Sequence, residues 1–385
     1  MAVIRSEVLR WCRSEEQRLL AFPRASITAT GDAVVLDSRG GDTGEVAPTF
    51  LTARMAHVQG LAALRGHPSS GEAATTLLES LGRRGADGWT DDPDGRGRRS
   101  LYALSFVILA ASTGSVAGIP AATELLEQAL AQLERRFWDP STDRPVDRID
   151  SDDAPLPYRG MNGAMHLTEA LFAAGDATGD AHHTRRAVEL CRFVLDEAAT
   201  RSWRILEHYD EQWRPLPDHH RDRPDDAFRP YGSTVGHGFE WARLIAQAAG
   251  RGSPVDGFAE GSAALYRRAV ADGWARSGPD GFLYTVDWDG TPVSRRRLHW
   301  VAAEAFAAAS VLARTPGGAA DAGRDVARWQ AHIRSSFVDD RMGSWIHDLD
   351  APADAPKPDL YHAFQAVLIP QLPVSTSLAG AINAS

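Results

Sequence analysis

The chain has 385 residues, with 41 basic and 51 acidic side chains and a formal net charge of −10. That balance argues against nucleic acid or an anionic membrane as the main partner. Cys12 and Cys191 are the only cysteines, too few for a disulfide framework, and no apolar run approaches the ~18 residues of a membrane span.

The stretch from Met1 to Trp11 carries charges every few residues and has no apolar core, so a cytoplasmic protein without a signal peptide is expected. From there the pattern alternates between two kinds of helix. Segments 4–21, 72–84, 121–137, 181–198, 257–275 and 319–337 each have a charged face. In 121–137, Leu125, Leu126, Ala129, Leu130, Leu133 and Phe137 recur at helical spacing, and Glu124, Glu127, Gln128, Glu134 and Arg135 take the other side. Segments 51–64, 101–113, 161–175, 233–249, 298–312 and 360–370 are small and apolar almost all round, with a few polar side chains near their starts. That is the pattern of a helix buried on most faces.

Six buried helices alternating with six amphipathic ones, at a spacing of about 50–70 residues, predict an all-α fold: a closed ring of six antiparallel helical hairpins. An open superhelix is the rival arrangement. Between outer and inner helices, Gly88-Trp-Thr-Asp-Asp, Phe137-Trp-Asp-Pro, Leu206-Glu-His-Tyr-Asp, Gly281-Phe-Leu-Tyr and Gly343-Ser-Trp-Ile-His pair aromatics with Asp and turn residues. They read as short strands or β-hairpins. Stretches 91–100, 140–157 and 215–230 are loops by their Pro, Gly and Asp content, long enough to rim or cover a site. A single domain over 1–385 is expected, with 373–385 as a loosely ordered tail.

Four histidines, His166, His237, His299 and His362, occupy comparable positions in the buried helices, and His57 follows Arg54 by three residues. A closed ring would bring them to one cavity. Glu169 and Glu240 follow His166 and His237 by three residues, on the same helix face, and Glu304 follows His299 by five. Two chemistries compete for such a set. A metal site would use neutral imidazoles and carboxylates, but no HExxH and no cysteine supports it here. The favoured alternative is a site without metal or cofactor, in which a carboxylate orients an imidazole that moves protons near neutral pH. Aromatics at the loops and helix starts (Tyr102, Tyr158, Trp241, Trp300, Tyr361), with Arg54, Asn162, Arg229, Glu240 and Glu304, suit a sugar's C–H faces and hydroxyls. No phosphate-binding loop, dinucleotide fingerprint or nucleophile elbow is present.

Arg54-Met-Ala-His57, Tyr158-Arg-Gly-Met-Asn162-Gly-Ala-Met-His166-Leu-Thr-Glu169, Arg229-Pro-Tyr-Gly-Ser-Thr-Val-Gly-His237-Gly-Phe-Glu240-Trp, Leu298-His299-Trp-Val-Ala-Ala-Glu304 and Asp359-Leu-Tyr-His362-Ala-Phe-Gln365 resemble the N-acylglucosamine 2-epimerase superfamily. The match runs from about residue 50 to 370. It is most similar to the branches that isomerise mannose or sulfoquinovose; epimerase branches tend to carry Trp-Trp where this chain has His299-Trp300. The resemblance implies an (α/α)6 barrel and a metal-free, cofactor-free aldose–ketose isomerase of free monosaccharides, monomeric or homodimeric. The family's two catalytic histidines fall on His237 and His362. Its sugar-binding positions fall on Arg54, Tyr102, Asn162, His166, Arg229, Glu240, His299, Trp300, Glu304 and Gln365. His362 is then expected to carry a proton between C2 and C1 through a cis-enediol, and His237 to open the sugar ring. One departure stands out. The family's Leu-Tyr-Asp-His-Ala-Phe is Leu101-Tyr-Ala-Leu-Ser-Phe106 here, which bears on how Tyr102 is held and on substrate preference. A 2-epimerase, a glycoside hydrolase on the same barrel and a non-catalytic repeat protein are the competing readings.

Overall fold

A computed structural model describes residues 4–385 apart from 23–26, 95, 151, 251–254, 277, 320, 342 and 353. Residues 1–3, 95, 151 and 320, which belong to segments read above, therefore lie outside the described residues. In chain order the long helices are α1 (Ser6–Ala21), α2 (Thr49–Leu64), α3 (Ser70–Arg84), α4 (Leu101–Val116), α5 (Pro120–Gln132), α6 (Met161–Thr178), α7 (Ala181–Ala199), α8 (Val235–Ala249), α9 (Phe258–Gly273), α10 (His299–Leu312), α11 (Ala322–Ser336) and α12 (Tyr361–Leu368). Odd-numbered helices form the outer ring and even-numbered ones the inner ring.

The burial pattern follows the two sequence types. In α11 only a stripe is covered, with Ala322, Val326, Trp329 and Ile333 at helical spacing. In α10 every residue from Val301 to Leu312 is buried. α2 packs on α4, α4 on α6, α6 on α8, α8 on α10 and α10 on α12, and α12 returns to α2. The ring is closed, so the chain forms an (α/α)6 barrel and not an open superhelix.

The aromatic–Asp motifs only partly become local hairpins. Trp138–Asp139 pairs with Arg144–Pro145, and Thr285–Val286 with Pro292–Ser294. Val34–Leu36 also pairs locally, with Asp42–Val46. Among the described residues three strand pairings are long-range: Arg99–Ser100 with Arg148–Ile149, Arg159–Gly160 with His208–Tyr209, and Ser233–Thr234 with Thr285–Val286. Each first-named strand runs directly into an inner helix, α4, α6 or α8. Backbone hydrogen bonds thus fix where those helices begin.

The expected outer helix 121–137 is regular only to Gln132; Leu133–Phe137 form a wider π turn leading into the first hairpin. The loosely ordered tail expected at 373–385 is corrected. Its last part folds into α13 (Leu378–Asn383), which buries Leu378, Ala379 and Ala381 against α2, α4 and α6. The Ser377 hydroxyl caps it by accepting from Gly380 N at 3.0 Å. An uncharged run with little periodicity reads alike for a free tail and for a plug in an apolar barrel end, and here it is the plug.

Candidate active site

Because the inner helices start at one rim, their first turns face each other. They enclose a cavity of about 450 Å³ lined by Arg54, Tyr102, Asn162, His166, His237, Glu240, His299, Trp300 and His362. His166, His237, His299 and His362 therefore share one cavity, while His57 of α2 does not line it. The loop 215–230 adds Ala227 and Phe228, and the segment before α12 adds Lys357, the only lysine of the chain.

Two histidines are held by carboxylates in the same way. His362 Nδ1 lies 3.0 Å from Glu304 Oε1, and His237 Nδ1 lies 2.9 Å from both oxygens of Glu207. A carboxylate only accepts, so each Nδ1 carries a proton, and in the neutral ring Nε2 is the atom left with a lone pair. The two rings flank Trp300, with centroids 5.6 Å (His237) and 5.7 Å (His362) from its ring. Burial holds the His362 imidazole below the usual histidine range, against the opposing pull of Glu304, so it is neutral at neutral pH. His166 and His299 are held well below that range, chiefly by burial.

Beneath the cavity, Arg243 is 1% exposed and collects three carboxylates. Its Nε donates to Glu304 Oε2 at 2.9 Å, Nη1 donates to Glu169 Oε1 at 3.4 Å, and Nη2 lies 3.5 Å from Glu240 Oε1. Glu169 also accepts from the Tyr361 hydroxyl, and Glu304 has His362. Glu240 is the least served: Oε2 is buried without a partner and Oε1 is 3.7 Å from His166 Nδ1. One guanidinium cannot neutralise three carboxylates. Burial and the charge of Glu304 push the Glu240 carboxyl well above the usual range. For Glu304, Arg243 and His362 outweigh burial and keep it low. The two carboxyls are thus driven apart, Glu240 toward its neutral form and Glu304 toward the carboxylate.

Arg54 is committed on two sides. Nη1 donates to Asp359 Oδ2 at 3.0 Å and Nη2 to the Tyr102 hydroxyl at 2.7 Å, while the guanidinium sits 4.3 Å from the Phe106 ring centroid. Asp359 in turn accepts from Tyr361 N at 2.8 Å at the start of α12, one residue before His362. Tyr102 needs no Asp-His pair to hold it. Arg54 grips its hydroxyl, and the edges of Phe50, Phe106, His166 and Phe228 pack around its ring. Ala103 and Leu104, standing where the family carries Asp-His, are buried in the core.

Three expected sugar contacts lie elsewhere. Glu304 faces His362 and Arg243 instead of the cavity. Gln365 donates to His57 Nε2 at 3.2 Å, and His57 Nδ1 lies 2.7 Å from the Thr113 hydroxyl, a support beneath the floor. Arg229 is turned by its ion pair with Asp147 (3.0 Å) and lies 3.9 Å over the Tyr158 ring. It lines an adjoining cavity of about 230 Å³ that shares Phe50, Tyr102, Asn162 and Phe228 with the first.

Sequence reasoning missed Glu207, Arg243 and the pairing role of Asp359. Glu207 leaves no local signal, because it sits 30 residues from His237 on the strand segment beside Arg159–Gly160. Arg243 follows Glu240 by three residues, which only the closed ring turns into a hub.

Two groups of the described residues bring possible metal donors within 4.8 Å of one another: His166, Glu169 and Glu240, and Glu240, Glu304 and His362. Every carboxylate in them already faces the Arg243 guanidinium, a fixed cation in the place where an ion's charge would act.

The family model described as N-acylglucosamine 2-epimerase matches residues 36–366. The D-mannose isomerase of Thermobifida fusca is 40% identical over 394 aligned positions, covering 97% of this chain and 96% of that one. A solved D-mannose isomerase superposes with a TM-score of 0.87 at 25% identity, over 94% of this chain and 97% of that chain. The cellobiose 2-epimerase of Spirochaeta thermophila DSM 6192 shares the fold, with a TM-score of 0.77 at 21% identity, over 95% of this chain and 97% of that chain.

Proposed function

The chain belongs to the N-acylglucosamine 2-epimerase family, and from that premise we propose that it is an aldose–ketose isomerase interconverting D-mannose and D-fructose, with D-lyxose and D-xylulose as further substrates. The observation that carries this reading is the pair of carboxylate-held histidines, His237 with Glu207 and His362 with Glu304, on one sugar-sized cavity.

The reaction moves one hydrogen from C2 to C1 and one from O2 to O1, with no net oxidation. His237 takes the anomeric O1 proton and passes it to O5 as the C1–O5 bond breaks, giving the open aldehyde. His362 Nε2 then removes the C2 proton. The C2–H electron pair forms C1=C2, and O1 gains a proton to give the cis-enediol. The imidazolium of His362 returns its proton to C1 while O2 loses its own, and the ketose results. Each such acid–base group contributes ~10²–10⁴-fold. Glu240, as a neutral acid on the cavity wall, is a hydrogen-bond donor for a developing enediolate oxygen. Arg243 supplies positive charge below, and the reaction so drawn needs no metal.

Two bases beside Trp300 also suit a 2-epimerase, which needs one on each face of C2. A glycoside hydrolase reading is less well supported. The carboxylates among the described lining residues are Glu240 and Asp359, the first buried and neutral, the second ion-paired to Arg54. The deciding experiment incubates chelator-treated protein with D-mannose and separates the products. Fructose supports the isomerase, glucose the epimerase, and turnover that is lost with EDTA and restored by a divalent ion overturns the metal-free mechanism.

A further inference from the structure

Arg159 is an enclosed cation with no ion pair among the described residues. The residue is 4% exposed. Its Nη1 donates to the carbonyls of Leu156 at 2.7 Å and Tyr158 at 3.0 Å, and its Nε is buried with no hydrogen-bond partner among the described residues. Among the described residues no carboxylate forms an ion pair with it; Asp139, Asp147, Glu211 and Asp210 act on it only from a distance. Enclosing a guanidinium in this way is unfavourable unless an acceptor meets it.

The side chain lines a cleft of about 620 Å³ that shares no residue with the sugar cavity. Arg135 and Arg136 line the same cleft. Arg135 is exposed, and Arg136 is half-buried and bonded to Gln132 at 2.6 Å and to Asp153 at 3.2 Å. The acids of the cleft are already engaged: Asp139 accepts from the amide and hydroxyl of Ser141, and Asp153 from Arg99 and Arg136. On a chain of net charge −10, three guanidinium groups line one cleft beside two carboxylates, of which Asp153 is ion-paired to Arg99 and Arg136.

We propose that this cleft is a binding site for a small tetrahedral oxyanion of the phosphate type, free or as a monoester, with Arg159 as its buried contact and Arg135 as its outer one. The planar guanidinium fork matches two oxygens of such a group, and burial strengthens the contact. Burial also lowers the Arg159 pKa, a strain that an arriving anion relieves.

The test is calorimetric titration of the whole protein with inorganic phosphate, and separately with phenyl phosphate, at constant ionic strength and with no sugar present. Saturable binding of either at one site per chain is expected, and the tighter of the two identifies the free or esterified form as the ligand. Arg159→Met and Arg135→Gln are each expected to weaken it by at least ~10-fold. Should Arg159→Met fail to fold, the exposed Arg135→Gln decides. No saturable binding, or binding undiminished in the folded variants, overturns the proposal. Because the readout is binding without sugar, it stands or falls independently of the isomerase reading.

Discussion

Glu304 bridges His362 and Arg243: one carboxylate oxygen is 3.0 Å from His362 Nδ1 and the other accepts from Arg243 Nε at 2.9 Å. The His362 ring is thereby fixed in one tautomer by a carboxylate that Arg243 holds low from behind. Three expectations follow from this chain of contacts, and a fourth from Arg54.

His362→Ala is expected to lower kcat on mannose by at least ~10²-fold with a modest change in KM, since a proton carrier acts in the transition state. Solvent deuterium should appear at C1 of the ketose in the unaltered enzyme. Near-normal turnover with unchanged labelling in the variant would transfer the base role to His237.

The acidic limb of kcat/KM should lie below ~6.5, because burial depresses His362 and the neutral imidazole is the active form. Glu304→Gln removes the group that pulls this value upward, so the limb should move to still lower pH while kcat falls. A limb that moves upward in Glu304→Gln contradicts the assignment of Glu304 as the positioning carboxylate.

Stability should respond to pH through Glu304 and Glu240 with opposite signs. Glu304 is held below its unfolded value, so its contribution is present above the ordinary carboxyl range and is lost as pH falls through the lowered folded value. Glu240 is raised, so its contribution is complete below the ordinary range and is lost as pH rises through the elevated folded value. Thermal melts of Glu240→Gln should show a flatter alkaline side than those of the unaltered protein. Arg243→Met, which strands an ionised Glu304 in the interior, should cost about 3–5 kcal/mol in urea unfolding.

Arg54→Ala should raise KM and lower kcat together, by at least ~10-fold in kcat/KM, because it releases both Tyr102 and Asp359. Asp359→Asn should be milder. Asparagine still accepts from Tyr361 N and keeps the start of α12 in place, while the ion pair to Arg54 is lost. Equal damage in both variants would mean that the charge of Asp359, not its cap, positions His362.

The barrel was legible because burial leaves different marks on the two rings. An outer helix such as α11 must be apolar on one stripe, whereas α10 is apolar all round, and both patterns survive in a single sequence. The histidines were legible for the same reason: an isolated polar residue at the start of an otherwise apolar helix has few places to point. What remained hidden depends on closure. Glu207 reaches His237 only because the segment after α7 pairs with the strand opening α6, and nothing adjacent in sequence predicts that bond. The resemblance sets Glu304 and Gln365 among sugar-binding positions, but it does not say how far down the barrel each side chain lies; here Glu304 meets His362 and Arg243, and Gln365 meets His57. The Arg229 side chain was misplaced because Asp147, which turns it aside, comes from another loop.

The two-residue strands that open α4, α6 and α8 separate two kinds of variation. Each clamps the backbone just before a helix that brings a side chain to the cavity, so the stretches between clamps can lengthen or change sequence without shifting those side chains. The rim can then vary while the starts of these inner helices stay where they are. For engineering, the stretch between His208–Tyr209 and Ser233–Thr234 is the natural cassette: its ends are anchored, it brings Ala227 and Phe228 to the cavity, and replacing it should alter which sugars enter before it alters how they react.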